Sequence, residues 1–513
     1  MDREKFDKCL NELTNQQKEV LQRFLKGRSD PEIASQNELC ITPETIRTHF
    51  CGIYSAFDLP HEMRKRDKLI RLFCKFKRDW VNHSFRDEYD RLRVDDYLDL
   101  ENIRSDDSNF RLIEGTEYLY QEKYEEAIEI FEKEIAHDPT NPIPKILINN
   151  ARAYQPKDRP RPFRIAVVVS YSPQNNSHVD ATENVLRGIA DAQTQFNESG
   201  GKDGRWLEVI IANDRNQPKV AKKQAKNLCD VESILVIIGH HSSEGTKAAL
   251  QIYEEKSIAV ISPTSTSSNL SGETFFRTVG STKAVAKTYI QYIKNYLKLD
   301  KVAIFYHPDN EYSQTLKNDV EEACKAEKIL MPTSINMRNI LLDIEGEIAE
   351  ITKKTCQAAL VLSSIETNKI ALDIIRTNSR RKSQKIKLIL STSFPENLML
   401  ERILEGENFV EEVVFVRPDL TEKSNYMADA KKRWQQEEIN WRFGCSHSAM
   451  QAVIEAIRSN NTTREEILNN LRAITKTSGF GLHCSASGNA NTEREYCIVQ
   501  IRNHKFEEIK ENE

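Results

Sequence analysis

One stretch constrains the fold more than any other: Ile234–Leu270, ILVIIGHHSSEGTKAALQIYEEKSIAVISPTSTSSNL. A short apolar run rich in β-branched residues stops at Gly239, and a serine-rich turn then opens an amphipathic helix. A second apolar run ends in Ser262-Pro263-Thr264-Ser265-Thr266. This is the pattern of a strand–helix–strand crossover in a parallel sheet. Both strand ends present hydroxyls and free backbone N–H groups. Open α/β sheets bind ligands at the carboxyl ends of their strands, and a helix N-terminus placed there favours an anion.

The chain is long enough for more than one such module. Its 513 residues suggest about three domains. An apolar content of 39% with 29% charged residues is ordinary for globular protein. The net charge of −5 gives no global nucleic-acid signal, but its distribution is uneven. Residues 1–78 carry a modest basic excess, and residues 79–140 are rich in Asp and Glu. That balance is compatible with DNA contact by the first part only. No apolar run reaches the roughly 18–20 residues that a membrane span needs. The opening MDREKFDKCLNELTNQQKEV lacks the apolar segment of a secretory signal. Ten cysteines, with neither CxxC nor zinc spacing, read as reduced thiols of a cytosolic protein. A cytoplasmic location without metal or cofactor is the expectation.

Near the start, Thr14 and Gln17 form a capping box, and Val20, Leu21, Phe24 and Leu25 make an apolar stripe. Gly27 ends that helix. Asp30 is expected to cap the next, with Pro31 at its first position, and Thr42-Pro43 repeats the device. Ile46, Phe50, Ile53 and Phe57 then follow at helical spacing, leaving Glu44, Arg47 and Thr48 on the open face. From Leu13 to Phe76 the segment resembles the LuxR/GerE-type helix-turn-helix, with Arg66–Phe76 standing where that family has its dimer-forming helix. The resemblance implies a homodimer that reads bases with Glu44, Arg47 and Thr48 and grips phosphates with Arg64 and Lys65. Two departures bear on this. The turn Gln36–Thr42 is about two residues longer than the family's, and Ala56 replaces its usual lysine. A protein partner for this face stays open beside DNA.

A helical connector follows. In EGTEYLYQEKYEEAIEIFEKEIAHDPTN, Gly115, Tyr118, Ala127, Phe131 and Pro139 match the small, aromatic and breaker positions of a tetratricopeptide repeat. One repeat cannot stand alone, so it must lean on its neighbours. The run QPKDRPRP reads as a linker. The domains expected are 1–80, a helix-turn-helix head; 81–154, the connector; 155–162, the linker; and 163–507, a ligand-binding domain.

From Phe163 to about Phe506 the pieces fall in order: the strand RIAVVVS, the turn GGKDGR, the βαβ unit above, the crossover FFRTVGS, then KVAIFYHPDNEYSQTL, AALVLSS, IKLILSTS and a closing hairpin. Together they resemble the type I periplasmic binding proteins of the leucine/isoleucine/valine-binding group, the substrate-binding proteins of ABC importers. The fold this implies is a two-lobe α/β domain with open, Rossmann-like parallel sheets. Carried over residue by residue, the carboxylate-binding positions fall on Ser243, on Thr264 through its backbone, and on Thr266; the stacking tyrosine falls on Tyr312. Tyr171 is a looser candidate for the cleft wall. The family's acid for an ammonium group falls on Ser393, so either Glu366 or Glu396 substitutes or the ligand is not an amino acid. The disulfide of secreted relatives falls on Asn216 and Ser242. No Walker loop, HExxH, GxSxG or GxGxxG is present, and no enzyme is expected.

The expected protein is a cytoplasmic sensor of a small polar carboxylated metabolite, whose cleft closure drives a DNA-binding head. The alternatives are a signalling adaptor whose head binds protein and a solute-binding component of an importer.

Overall fold

Phe6, Cys9 and Leu10 recur at helical spacing, and in the computed structural model they bury one face of the helix Arg3–Glu12, which the sequence reading did not single out. The structure describes residues 3–34, 42–59, 65–82, 107–155, 159–171, 176–394, 413–420, 424–436, 439–458, 463–475, 481–484, 494–502 and 505–509. The chain forms two units, residues 1–96 and 97–513.

In the first unit, helices Asn15–Leu25, Asp30–Ala34, Pro43–Ala56 and Lys65–Phe76 complete the described bundle. The Thr14 hydroxyl accepts from the Gln17 N–H at 3.2 Å while the Gln17 side chain accepts from the Thr14 N–H at 2.9 Å, so the capping box is present. Phe24, Ile46, Phe50, Ile53, Phe57 and Phe73 share one core. Asp30 is not the cap expected of it. Ser29 takes that role, its N–H and hydroxyl both donating to Glu32 at 2.8 and 2.7 Å. Asp30 is thereby released to hold Arg66 at 2.7 Å, whose guanidinium lies over the Phe50 ring.

The second unit begins with helices Asp107–Tyr120, Tyr124–His137 and Pro142–Ala153. Gly115 has the close approach its position suggested: a Cβ there would lie 2.4 Å from the Phe131 ring. The third helix docks on a sheet edge. Asn150 accepts from the Val209 N–H at 2.9 Å and donates to the Val209 carbonyl at 2.8 Å, so it covers an otherwise open strand. The connector therefore packs directly against the first sheet.

The first sheet contains β1 (Phe163–Val169), β2 (Leu207–Asn213), β3 (Ile234–Ile238), β4 (Ala259–Ser262), β5 (Phe275–Arg277) and, antiparallel at its edge, β11 (His483–Cys484), in the order β2-β1-β3-β4-β5-β11. The second contains β6 (Val302–Tyr306), β7 (Ser334–Asn336), β8 (Ala358–Leu362), β9 (Lys387–Leu390), β10 (Val413–Pro418), β12 (Tyr496–Arg502) and β13 (Lys505–Glu508), in the order β7-β6-β8-β9-β10-β12-β13. The first five strands of each lobe are parallel and wound identically. β1, β3 and β8 are buried along their whole length, as parallel strands covered by helices on both faces should be. The winding reverses between β1 and β3 and again between β6 and β8, and those reversals open crevices at the carboxyl ends. The helix Trp441–Arg458 straddles the lobes. Trp441 and Cys445 sit in the second core, and Phe443, Ala449 and Val453 sit in the first.

Candidate functional site: a cleft between two lobes

Both crevices open onto one cleft of about 520 Å³. The first lobe supplies Asn216 after β2, His241, Ser242, Ser243 and Glu244 after β3, and Thr264 and Thr266 after β4. The second supplies Asn310 and Tyr312 after β6, Ser364, Ile365 and Glu366 after β8, and Thr392 and Ser393 after β9. Trp441 and Arg442 complete the wall from the straddling helix.

Local chemistry explains the hydroxyl-rich side. Ser242 caps the helix Ser243–Glu255, its hydroxyl accepting from the Gly245 N–H at 3.2 Å. Ser243 therefore sits in the first turn, where the helix dipole favours negative charge. Its hydroxyl accepts from the Ser267 N–H at 3.3 Å. The Thr264 hydroxyl is spent on the loop, donating to the His241 carbonyl at 2.8 Å. Thr266 differs. Its carbonyl accepts from the Thr282 N–H at 2.7 Å, while its hydroxyl has no protein partner among the described residues. Opposite, the Tyr312 hydroxyl meets Thr392 Oγ1 at 3.0 Å, and burial raises its pKa.

A fully buried chain fixes this loop from behind. Asp214 accepts from the Ser170 hydroxyl at 2.6 Å and lies 2.7 Å from His240 Nδ1; His240 Nε2 lies 2.8 Å from the Tyr253 hydroxyl. The His240 carbonyl accepts from the Ser262 and Ser265 hydroxyls at 3.0 and 3.1 Å. Of the adjacent histidines, His240 is thus structural, and His241 lines the cleft.

Ser243, Thr264, Thr266, Tyr312 and Glu366 line the same cleft. Tyr171 does not join them. Its N–H donates to Asn213 Oδ1 at 2.9 Å and its carbonyl accepts from Asn213 Nδ2 at 3.1 Å. Held in that register, the ring is buried among the hydrophobic residues of the first lobe. Glu396 lies outside the described residues, and Ser393 lines the wall where an acid was sought. Glu366, about half exposed, accepts from Asn216 Nδ2 at 3.4 Å across the cleft.

Among the lining residues that sequence reasoning did not single out are Glu244, Trp441 and Arg442. Glu244 reaches from the first lobe to accept from the Glu311 N–H at the start of a second-lobe helix. Burial raises its pKa, and the nearby Glu366 adds to the rise. Its place directly after the capping serines was a usable signal. Arg442 lies against Trp441, 4.5 Å from the ring centre, and donates to the Thr392 carbonyl at 3.4 Å.

On the first unit, Glu44, Arg47 and Thr48 are exposed together on the helix Pro43–Ala56. The helix backbone and the Thr42 hydroxyl hold the Glu44 carboxyl below its ordinary range. Arg64 lies outside the described residues, and Lys65 is described only in its backbone.

Two open α/β lobes meeting over a hydroxyl-lined cleft define the class: a two-lobe binding-protein fold. The periplasmic binding protein family matches residues 163–505, and the chain belongs to that family. An "Amino acid binding protein" of Pseudomonas aeruginosa is 32% identical over 149 residues, which cover 28% of this chain and 39% of that protein. The fold of a Desulfitobacterium hafniense ABC transporter substrate-binding protein in complex with Leu matches with a TM-score of 0.56 at 19% identity, over 68% of this chain and all of that one. A solute-binding protein from R. palustris in complex with benzoate gives the same TM-score at 16% identity, over 68% and 95%.

Family membership overturns the cytoplasmic expectation. Members are periplasmic substrate-binding proteins, which points to a periplasmic or extracellular location. The thiol argument fails for a physical reason: six of the eight described cysteines are buried, and a buried thiol does not report the compartment outside it.

Proposed function

We propose that the two-lobe domain binds a small carboxylated solute, an amino acid or a close analogue, and serves as a solute-binding component. The observation that carries this reading is the Thr266 hydroxyl, uncommitted in the cleft beside Ser243 at a helix start. A carboxylate there gains hydroxyl donors and a favourable dipole in exchange for lost water. Glu366 and Glu244 supply negative charge for an ammonium group. The relatives agree in kind, one being an amino-acid-binding protein and two being solved with Leu and with benzoate.

In this reading the N-terminal unit docks a protein. Its exposed helix face carries Glu44, a carboxyl kept ionised by its own helix start, and that charge repels phosphate. Calorimetry of the full chain against the common amino acids and benzoate tests the first part. Saturable binding of at least one at micromolar level is expected, and no heat with any of them refutes it. A gel-retardation assay tests the second. No shift of genomic DNA is expected at about 50 mM salt, and retardation that falls steeply with added salt would restore a DNA reader.

A further inference from the structure

A polar seam joins the lobes beside the cleft. On the second-lobe helix Glu311–Glu327, Glu311, Thr315 and Asp319 stand on one face at four-residue spacing. Three consecutive residues of the first-lobe loop after β4 meet that face. The Asn269 amide donates to Glu311 Oε1 at 3.1 Å and to Thr315 Oγ1 at 3.0 Å. The Ser267 hydroxyl lies 3.1 Å from Thr315 Oγ1, and the Ser268 hydroxyl donates to Asp319 Oδ2 at 2.8 Å. One turn beyond Ser243, Lys247 Nζ reaches Glu311 Oε2 at 2.7 Å. From the same first-lobe helix, Glu244 accepts from the Glu311 N–H.

A lone exposed ion pair would hold little. Here the Glu311 side chain is only 17% exposed, and its carboxylate takes an ammonium and an amide donor together. Burial opposes its charge, but Lys247 and Asn269 outweigh burial and keep the pKa below the ordinary 4.5. The two helices joined this way, Ser243–Glu255 and Glu311–Glu327, are the ones that begin at the cleft wall with Ser243 and Tyr312. Parting the lobes at the cleft must therefore break the contacts of Glu311.

We propose that Lys247, Asn269 and Glu311 form a clasp that draws the lobes shut through protein groups alone. The chain's own closing equilibrium then sets how much of a solute's intrinsic affinity is realised, because apparent affinity scales with the closed fraction. That effect on affinity rests on the solute-binding function proposed above; the clasp does not.

The test uses the full chain, exhaustively dialysed and with no solute added, so its failure would leave the solute-binding reading standing. Spin labels are attached through p-acetylphenylalanine introduced at Lys219 and Lys369. Both residues are exposed in the first turns of helices on opposite lobes, Pro218–Cys229 and Asn368–Arg380. Pulsed electron resonance then reads the gap, and one short distance should dominate. The Lys247 side chain is 60% exposed, so Lys247→Glu disturbs neither core. It sets two carboxylates against each other and should lower the short-to-long ratio at least about tenfold. Adding Glu311→Lys restores opposite charges and should recover the ratio. Hydrogen exchange in β3 and β8 should match the wild type throughout, showing both lobes folded. A ratio that Lys247→Glu leaves within about twofold of the wild type overturns the clasp, as does a charge swap that fails to recover it or a wild type dominated by the long distance. Should the swap disturb β8, Glu311→Gln removes the charge alone, and an unchanged ratio there overturns the clasp too.

Discussion

Replacing Tyr253 with phenylalanine removes one oxygen from the buried chain behind the cleft and changes almost no volume. Asp214, His240 and Tyr253 are all fully buried. Asp214 already accepts from the Ser170 hydroxyl and the Asn216 N–H, so as a carboxylate it accepts from His240 Nδ1–H as well. On the other side of the ring, Nε2 has the Tyr253 hydroxyl as its partner at 2.8 Å. The substitution strands that nitrogen where water does not reach, and a stranded buried group costs about 1–3 kcal/mol. No cavity term adds to it, because the phenyl ring keeps the packing. The His240 carbonyl anchors Ser262 and Ser265, so the loss should be felt first in β3, β4 and the loops after them. Hydrogen exchange read strand by strand suits a chain of two units better than a single melting curve. Amides of β3 and β4 should exchange roughly 5- to 150-fold faster, the same 1–3 kcal/mol expressed as a ratio, while those of β6 and β8 should not change. Protection lost by less than about twofold, or lost equally in both lobes, refutes the assignment of His240 as a structural strut.

Three further outcomes follow from the geometry. Thr266→Val should leave unfolding of the empty protein unchanged but weaken carboxylate binding by about 1–3 kcal/mol, read by calorimetry, because only the bound ligand uses that hydroxyl. Gly115→Ala gains about 1 kcal/mol of helix preference but drives a Cβ to 2.4 Å from the Phe131 ring; overpacking of about 1–3 kcal/mol should win, and denaturant unfolding should show net destabilisation. Glu244 has its pKa raised by burial above the ordinary 4.5, so the folded chain holds this proton more tightly than the unfolded chain. Its contribution to stability is full below 4.5 and is lost as pH rises through the folded value. Glu244→Gln should flatten the stability–pH profile over that window, and an unchanged slope would rule out Glu244 as its source.

Local chemistry made much of this legible. Capping residues at Thr14, Thr42 and Ser242 speak for their own helix starts, and uninterrupted apolar runs announce β1, β3 and β8. Ser243, Thr266 and Tyr312 were reached through the family resemblance rather than from any local pattern, and all three line the cleft. Tyr171 misled because the direction of a side chain past a strand end depends on a partner elsewhere, here Asn213. Glu244 and Arg442 escaped notice because their importance arises across the cleft, from Glu311 and Thr392, more than forty residues away in the chain. Asp30 was misassigned because Ser29 and Glu32 form an equivalent cap one residue earlier, and the competing partner, Arg66, lies 36 positions on.

The helix Trp441–Arg458 has one further consequence. Its first turn is rooted in both lobes, Trp441 in the second core and Phe443 in the first, so any swing of the lobes must shift it. That same turn carries Trp441 and Arg442, which line the cleft. Under the proposed function, this bridge between the lobes is also part of the surface that meets the solute. A displacement too small to notice at a fulcrum becomes a wide sweep at the rim of the lobe it carries. Solutes that differ by a methylene at Trp441 should therefore leave the jaws at different angles, and a partner that grips the outer rims would sense not only that something is held but how large it is.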